Sequence, residues 1–117
     1  MRRFIIMIPA LFLLFSCSNK GKESVPKHLL TEQEMVSVLA DIQIIEADLT
    51  SRKTNQQDIA GWPQQYYDQL FEHYGITDSV FSESLRYYTL HPATLERIMD
   101  SVVQRLTKEQ QSISLTQ

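Results

Sequence analysis

The chain has 117 residues, 11 Lys+Arg against 14 Asp+Glu, a formal charge of −3, one cysteine and three glycines. That length allows one domain at most. The lone cysteine excludes an intramolecular disulfide, and an acidic balance without a Lys/Arg cluster speaks against binding nucleic acid or anionic lipid. Gly21, Gly61 and Gly75 stand too far apart for a glycine-rich phosphate loop.

The N-terminal stretch has the order of a secretory signal. Met1-Arg2-Arg3 is positive, residues 4–15 carry no charge, and the run closes on Leu14-Phe15-Ser16-Cys17. That closing tetrad resembles the lipobox of bacterial lipoproteins. The resemblance implies that residues 1–16 are removed and that Cys17 becomes a lipidated N-terminus, with diacylglycerol on its sulfur and usually a third chain on its amine. A spanning helix needs roughly 20 apolar residues; this run is shorter and contains Pro9. More than one acyl chain, at about 0.8 kcal/mol per buried methylene, makes attachment stable. An acylated sulfur is also closed to thiol catalysis and to metal ligation.

Residues 18–27 are polar and close with Pro26 and Lys27, so they are expected as a flexible tether following Cys17. Ser18-Asn19-Lys20-Gly21-Lys22 has no Asp at the second position and no acidic run. By the same likeness to lipoproteins, the expected place is the periplasmic side of the outer membrane rather than the cell surface. Loss of Arg2 and Arg3 with the leader takes the charge from −3 to −5. The folding part, residues 28–108, is in the size range where one core supplies only about 3 to 5 kcal/mol, so help from oligomerisation or a partner would not be surprising.

Four helices are expected, at about 31–50, 63–74, 78–90 and 92–107, with no strand. Thr31-Glu32-Gln33-Glu34 reads as a capping box, followed by Met35, Val38, Ile42, Ile45 and Leu49 at three-four spacing, with Leu39 and Glu46 beside them. Residues 51–61 read as a loop. Trp62-Pro63 opens the second helix, which buries Tyr66, Tyr67, Leu70, Phe71 and Tyr74 and ends at Gly75 as a left-handed cap. Thr77 caps the third, whose stripe is Val80, Phe81, Leu85 and Tyr88; His91-Pro92 stops it and starts the fourth. The fourth buries Leu95, Ile98, Met99, Val102 and Leu106, and residues 109–117 are expected to fray.

From Pro26 to Leu106 the chain resembles the small lipoproteins of Bacteroides-like bacteria grouped as domain of unknown function 4296. The resemblance is carried by Leu30-Thr31-Glu32-Gln33-Glu34-Met35, Ala40-Asp41-Ile42, Glu46-Ala47, Tyr67 to Phe71, Tyr74-Gly75-Ile76, Phe81, Ser84-Leu85, Tyr87-Tyr88, His91-Pro92, Leu95-Glu96 and Ile98. It implies a helical fold and a location, and no activity. A histidine often follows the Asp-Ile pair in such proteins; Gln43 stands there in this chain, which argues against a metal ligand at that position.

No residue set meets the requirements of catalysis or metal binding. His28, His73 and His91 lack the spacing of converging zinc ligands. His91 is better explained as satisfying a helix terminus, and Asp41 as pairing with Arg86, Arg97 or a tyrosine hydroxyl. No cofactor and no metal is expected. Trp62, Tyr66, Tyr67, Tyr87 and Tyr88 belong to an aromatic concentration between residues 62 and 88. Neighbours on a helix point about 100° apart, so one tyrosine of each adjacent pair should pack and the other reach the rim.

The preferred reading is a lipid-anchored periplasmic helical module, noncatalytic, that holds another envelope protein through these aromatics. The alternative is a carrier enclosing a small apolar ligand, which needs a cavity of about 300 Å³ or more. Last comes a hydrolase with Asp41 or Glu46 as base and His91 as acid.

Overall fold

The computed structural model describes residues 24–116. It contains four helices, α1 (Glu32–Thr54), α2 (Trp62–Tyr74), α3 (Asp78–Thr89) and α4 (Pro92–Leu115), and no strand among the described residues. The all-α class and the helix count are as the sequence implied. Residues 1–23 and 117 lie outside the description, and with them the expected leader, Cys17 and most of the tether.

Local chemistry sets most of the boundaries. Thr31 Oγ1 accepts the amide of Glu34 at 3.1 Å while the Glu34 carboxylate accepts the amide of Thr31 at 2.7 Å, which completes the capping box. Thr77 caps α3 through the amide of Val80 at 3.2 Å. Gly75 takes φ 64° after α2, in the left-handed region that a β-carbon disfavours. Gly61 does the same, at φ 80°, ahead of Trp62 and Pro63.

Two helices run further than expected. α1 continues to Thr54, because Arg52 Nε donates to Asp48 Oδ2 one turn back at 2.8 Å and Thr54 Oγ1 donates to the carbonyl of Thr50 at 2.9 Å. The chain then turns at Asn55-Gln56, where Gln56 adopts φ 59°. α4 continues to Leu115, so the expected frayed tail is helical over most of its length. Lys108-Glu109-Gln110-Gln111 are strong helix formers, and propensity carries the helix past the last core contact at Leu106. α3 ends one residue early, with Leu90 as its C-cap.

α1 is the central helix: it packs on α4 and on α2, and α3 packs on α4. Arg97 Nη2 donates to Glu32 Oε1 at 3.0 Å and Arg105 Nη1 to Ser37 Oγ at 2.8 Å, so α4 runs beside α1 in the same sense. Contacts from Asp41 to Tyr74 and from Asp48 to Tyr66 show that α2 runs against it. The core holds Leu30, Met35, Leu39, Ala40, Tyr88, Ile98 and Val102. Met35, Val38, Ile98 and Val102 are almost completely enclosed, each contributing about 1.5 to 3 kcal/mol by burial. Ile42 and Ile45 are only half-buried, and Met99, expected inside, is exposed. Met99 directly follows Ile98, and the 100° step between helical neighbours turns it off the α1-facing stripe.

Leu30 is the anchor point of the chain before α1. Its amide donates to Ser84 Oγ at 3.0 Å and its carbonyl accepts the Tyr88 hydroxyl at 2.6 Å, both on α3. Leu30 precedes the N-cap and shares the core with Met35, the fourth residue of α1, in the arrangement of a hydrophobic staple. The ordered contacts begin before the expected domain start. Pro26 is half-buried, and residues 24–27 line a hollow with Glu83, Arg86 and Tyr87 of α3 and its C-cap Leu90.

Candidate functional site

Antiparallel packing of α2 on α1 brings three tyrosines onto three carboxylates. Tyr74 donates to Asp41 Oδ2 at 2.5 Å, Tyr67 donates to Glu46 Oε1, and Tyr66 donates to Asp48 Oδ2 at 3.2 Å. The only buried residue of α2 is Leu70. Its hold on α1 therefore depends on one apolar anchor, half-buried rings and this row of phenol–carboxylate bonds. The expected division of Tyr66 and Tyr67 into a packed and a rim residue is not what forms. Both are half-buried, and both hydroxyls reach α1, on different carboxylates.

The electrostatics of the row follow from its geometry. Burial, reinforced by the neighbouring Glu46 carboxylate, pushes the Tyr67 phenol up to about 12. Burial and Asp41 do the same to Tyr74, again to about 12. The guanidinium of Arg52 hydrogen-bonded to Asp48 holds that carboxyl below the usual range. Asp41 pairs with a tyrosine, as one of its expected partners; Arg97 instead binds Glu32 and Thr94.

At the C-terminal end of α1 the row opens into a surface cleft. Arg52 sits 4.9 Å from the ring centre of Trp62, within cation–π range. Trp62 meets Tyr66 edge to face at 6.4 Å. Trp62, Gln65, Tyr66 and Gln69 line a hollow of about 260 Å³. Tyr66 and Gln69 also border a second hollow of about 320 Å³, with Asp41, Ile44, Leu70 and His73. Ile44 is an exposed isoleucine there, at 48 % of its free surface. Both hollows are open clefts, not the enclosed cavity a carrier of apolar ligands needs.

Tyr87, Tyr88 and His91 lie elsewhere, at the α3–α4 corner. Tyr88 is buried and Tyr87 half-buried, the expected division for that pair. Burial pushes the Tyr88 phenol up. Tyr87 stacks on the His91 ring at 4.2 Å and meets Tyr88 edge to face at 5.3 Å. His91 Nδ1 lies 2.7 Å from the carbonyl of Tyr87 in the last turn of α3, so the ring acts on a helix end as expected. The aromatic concentration thus splits, with Trp62 and Tyr66 in one place, Tyr87, Tyr88 and His91 in another, and a separate contact of Phe71 with Phe81 at 5.5 Å between α2 and α3.

Asp41 and Glu46 each accept a tyrosine hydroxyl of α2, whereas His91 serves the α3–α4 corner. Among the described residues no group of three or more His, Cys, Asp or Glu is placed to hold a metal ion. Sequence reasoning missed Arg52 and the pairing of Leu30 with Ser84. The Asp48/Arg52 spacing of four was the available signal for the first, and Leu30 ahead of a capping box for the second.

Fold and face together define a small all-α protein whose central helix carries carboxylates answered by tyrosines of its antiparallel neighbour. The chain belongs to the family described as Domain of unknown function (DUF4296), whose model matches residues 26–112. No curated protein and no solved structure matches it. The matched span opens at Pro26, a half-buried residue in the segment that lines a hollow beside α3. Among the described residues no helix is long and apolar enough to cross a membrane.

Proposed function

We propose that this chain is a lipid-anchored, noncatalytic adaptor of a bacterial cell envelope. Acylated Cys17 holds it on the periplasmic side of the outer membrane, and the α1–α2 face holds another envelope protein. The observation that carries this reading is the open cleft of Trp62, Gln65, Tyr66 and Gln69, continuous through Tyr66 and Gln69 with the hollow beside Ile44. It combines a half-buried tryptophan, a tyrosine and an exposed isoleucine with amide side chains able to donate and accept, the composition of an interface centre. The Asp41, Glu46 and Asp48 carboxylates each accept a tyrosine hydroxyl of α2 and so fix the position of the helix that carries the cleft.

The test places a photo-crosslinking residue at Gln69 in the full chain, carried in its own membrane. A discrete adduct is expected, lost when Trp62→Ala is added. The same probe at Glu96, an exposed position of α4, should give no such adduct. An adduct unchanged by Trp62→Ala would overturn the assignment of this face.

A further inference from the structure

We infer that the opposite end of the molecule is a lipid-facing surface, in which Val25 and Leu90, rimmed by Lys27 and Arg86, seat against the phosphates and outer acyl region of the bilayer holding Cys17. The inference rests on the lipid-anchor reading above and deepens it.

Val25 is 61 % exposed and Leu90 51 % exposed, yet both line one hollow of about 520 Å³ together with Lys27 and Arg86. Long cationic side chains beside apolar ones suit a membrane interface, where the stems lie along the apolar zone and the charges reach phosphate. Glu83 is the carboxylate lining the same hollow, one acid against two cations.

The length of chain ahead of this surface supplies the partner. Six residues separate Cys17 from Ser24, and fully extended they span at most about 25 Å. Cys17 is therefore never further than that from the surface, and Val25 directly follows Ser24. The formal charge of the chain without its leader, −5, gives no general attraction to an anionic bilayer. Once anchored, however, the acidic remainder is repelled from lipid phosphate while the face with Lys27 and Arg86 is drawn to it, so charge orients the domain.

The fold makes this orientation useful. Tyr88, two residues before Leu90, is hydrogen-bonded to Leu30 just ahead of the α1 N-terminus, whereas Trp62 sits over Arg52 near the other end of α1. Twenty residues of helix separate those ends by about 30 Å. Seating Val25 and Leu90 on lipid presents the Trp62 cleft on the aqueous side.

The experiment uses the full lipidated chain in mixed phosphatidylethanolamine–phosphatidylglycerol vesicles with brominated acyl chains, read by tryptophan emission. Trp62 is the one native tryptophan, so Leu90→Trp and, separately, Val25→Trp are made in a Trp62→Phe background, with circular dichroism confirming helix content. The new tryptophans should lose most of their emission and shift to shorter wavelength, and Lys27→Glu with Arg86→Glu should reverse the loss, while Trp62 in the unaltered chain keeps its emission. Mass spectrometry of the same samples reports the lipid. A lipidated chain in which neither new tryptophan is quenched, or in which Trp62 is quenched equally, overturns the orientation alone. An unmodified Cys17 overturns the anchor reading and the lipid-facing surface with it.

Discussion

The Tyr88 hydroxyl donates to the backbone carbonyl of Leu30 at 2.6 Å, across 58 residues of sequence, and closes the fold where the N-terminal segment joins α1. Ser84, fully buried, takes the amide of the same residue. Tyr88→Phe keeps the ring and removes the donor, leaving a buried carbonyl without this partner. The expected loss is about 1 to 3 kcal/mol, seen as a lower midpoint in thermal melting followed by circular dichroism. Ser84→Ala should act in the same direction. Melting curves superimposable on that of the parent chain would show that water replaces the hydroxyl at no cost.

The bond from Tyr74 to Asp41 should couple α2 to α1 energetically. Both side chains are half-buried, so the coupling in a double-mutant cycle of Asp41→Ala and Tyr74→Phe is expected at about 1 kcal/mol, below the value for a fully enclosed charged bond. Denaturant unfolding of the four chains measures it. Additive effects would mean that α2 is held by Leu70 and ring packing alone.

Alkaline pH should loosen the same helix pair. Tyr67 and Tyr74 are pushed up to about 12 in the folded chain, first by burial and then by their carboxylate partners. The unfolded phenol titrates near about 10. A group whose folded pKa is raised gives its stability in full below the unfolded value, and that stability is lost as pH rises through the folded one. Thermal stability is therefore expected to hold below about pH 10 and to fall between about 10 and 12. Tyr67→Phe with Tyr74→Phe should make that fall shallower, and phenolate absorbance should show a late-titrating class that in the double variant shrinks to Tyr88, whose phenol burial also pushes up. Uniform titration of all tyrosines near about 10 would contradict the row.

The parts of this fold legible in the sequence are those fixed by chemistry within a few residues. The capping box at Thr31 and Glu34, the left-handed Gly75, the Thr77 cap and the stop at His91-Pro92 each depend on neighbours in the chain, and each forms. Helix ends set by propensity alone were harder to read, because apolar periodicity lapses at Leu49 and Leu106 while Arg52 and the Lys108–Gln111 run keep the backbone helical. The site was legible as a set of residue types and not as an arrangement. That Tyr66, Tyr67 and Tyr74 meet Asp48, Glu46 and Asp41 requires the antiparallel register of α1 and α2, a relation across 18 to 33 residues that no local spacing encodes. The same holds for Tyr87 and Tyr88, which the sequence groups with Trp62 and the fold carries to another corner. Cys17 lies outside the described residues, and its lipidation rests on the sequence alone.

The last turns of α4 provide the sharpest separation between secondary structure and stability. Residues 111–116 are all exposed, with Ile113 at 62 % and Leu115 at 89 % of their free surface, while the last partner-making groups on α4 that reach another helix are Arg105, bonded to Ser37, and Leu106, packed on the core. Glu109 supports Arg105 through a 3.2 Å ion pair and must be kept. Ending the chain after Gln110 should therefore remove helical signal in circular dichroism in proportion to the turns deleted, yet change unfolding free energy by no more than about 0.5 kcal/mol. Ending it after Gln104 deletes Arg105 and Leu106 as well and should destabilise strongly. A large loss from the shorter truncation would mean that Ile113 and Leu115 are covered in solution, and sedimentation of the full chain would then show a second copy on α4.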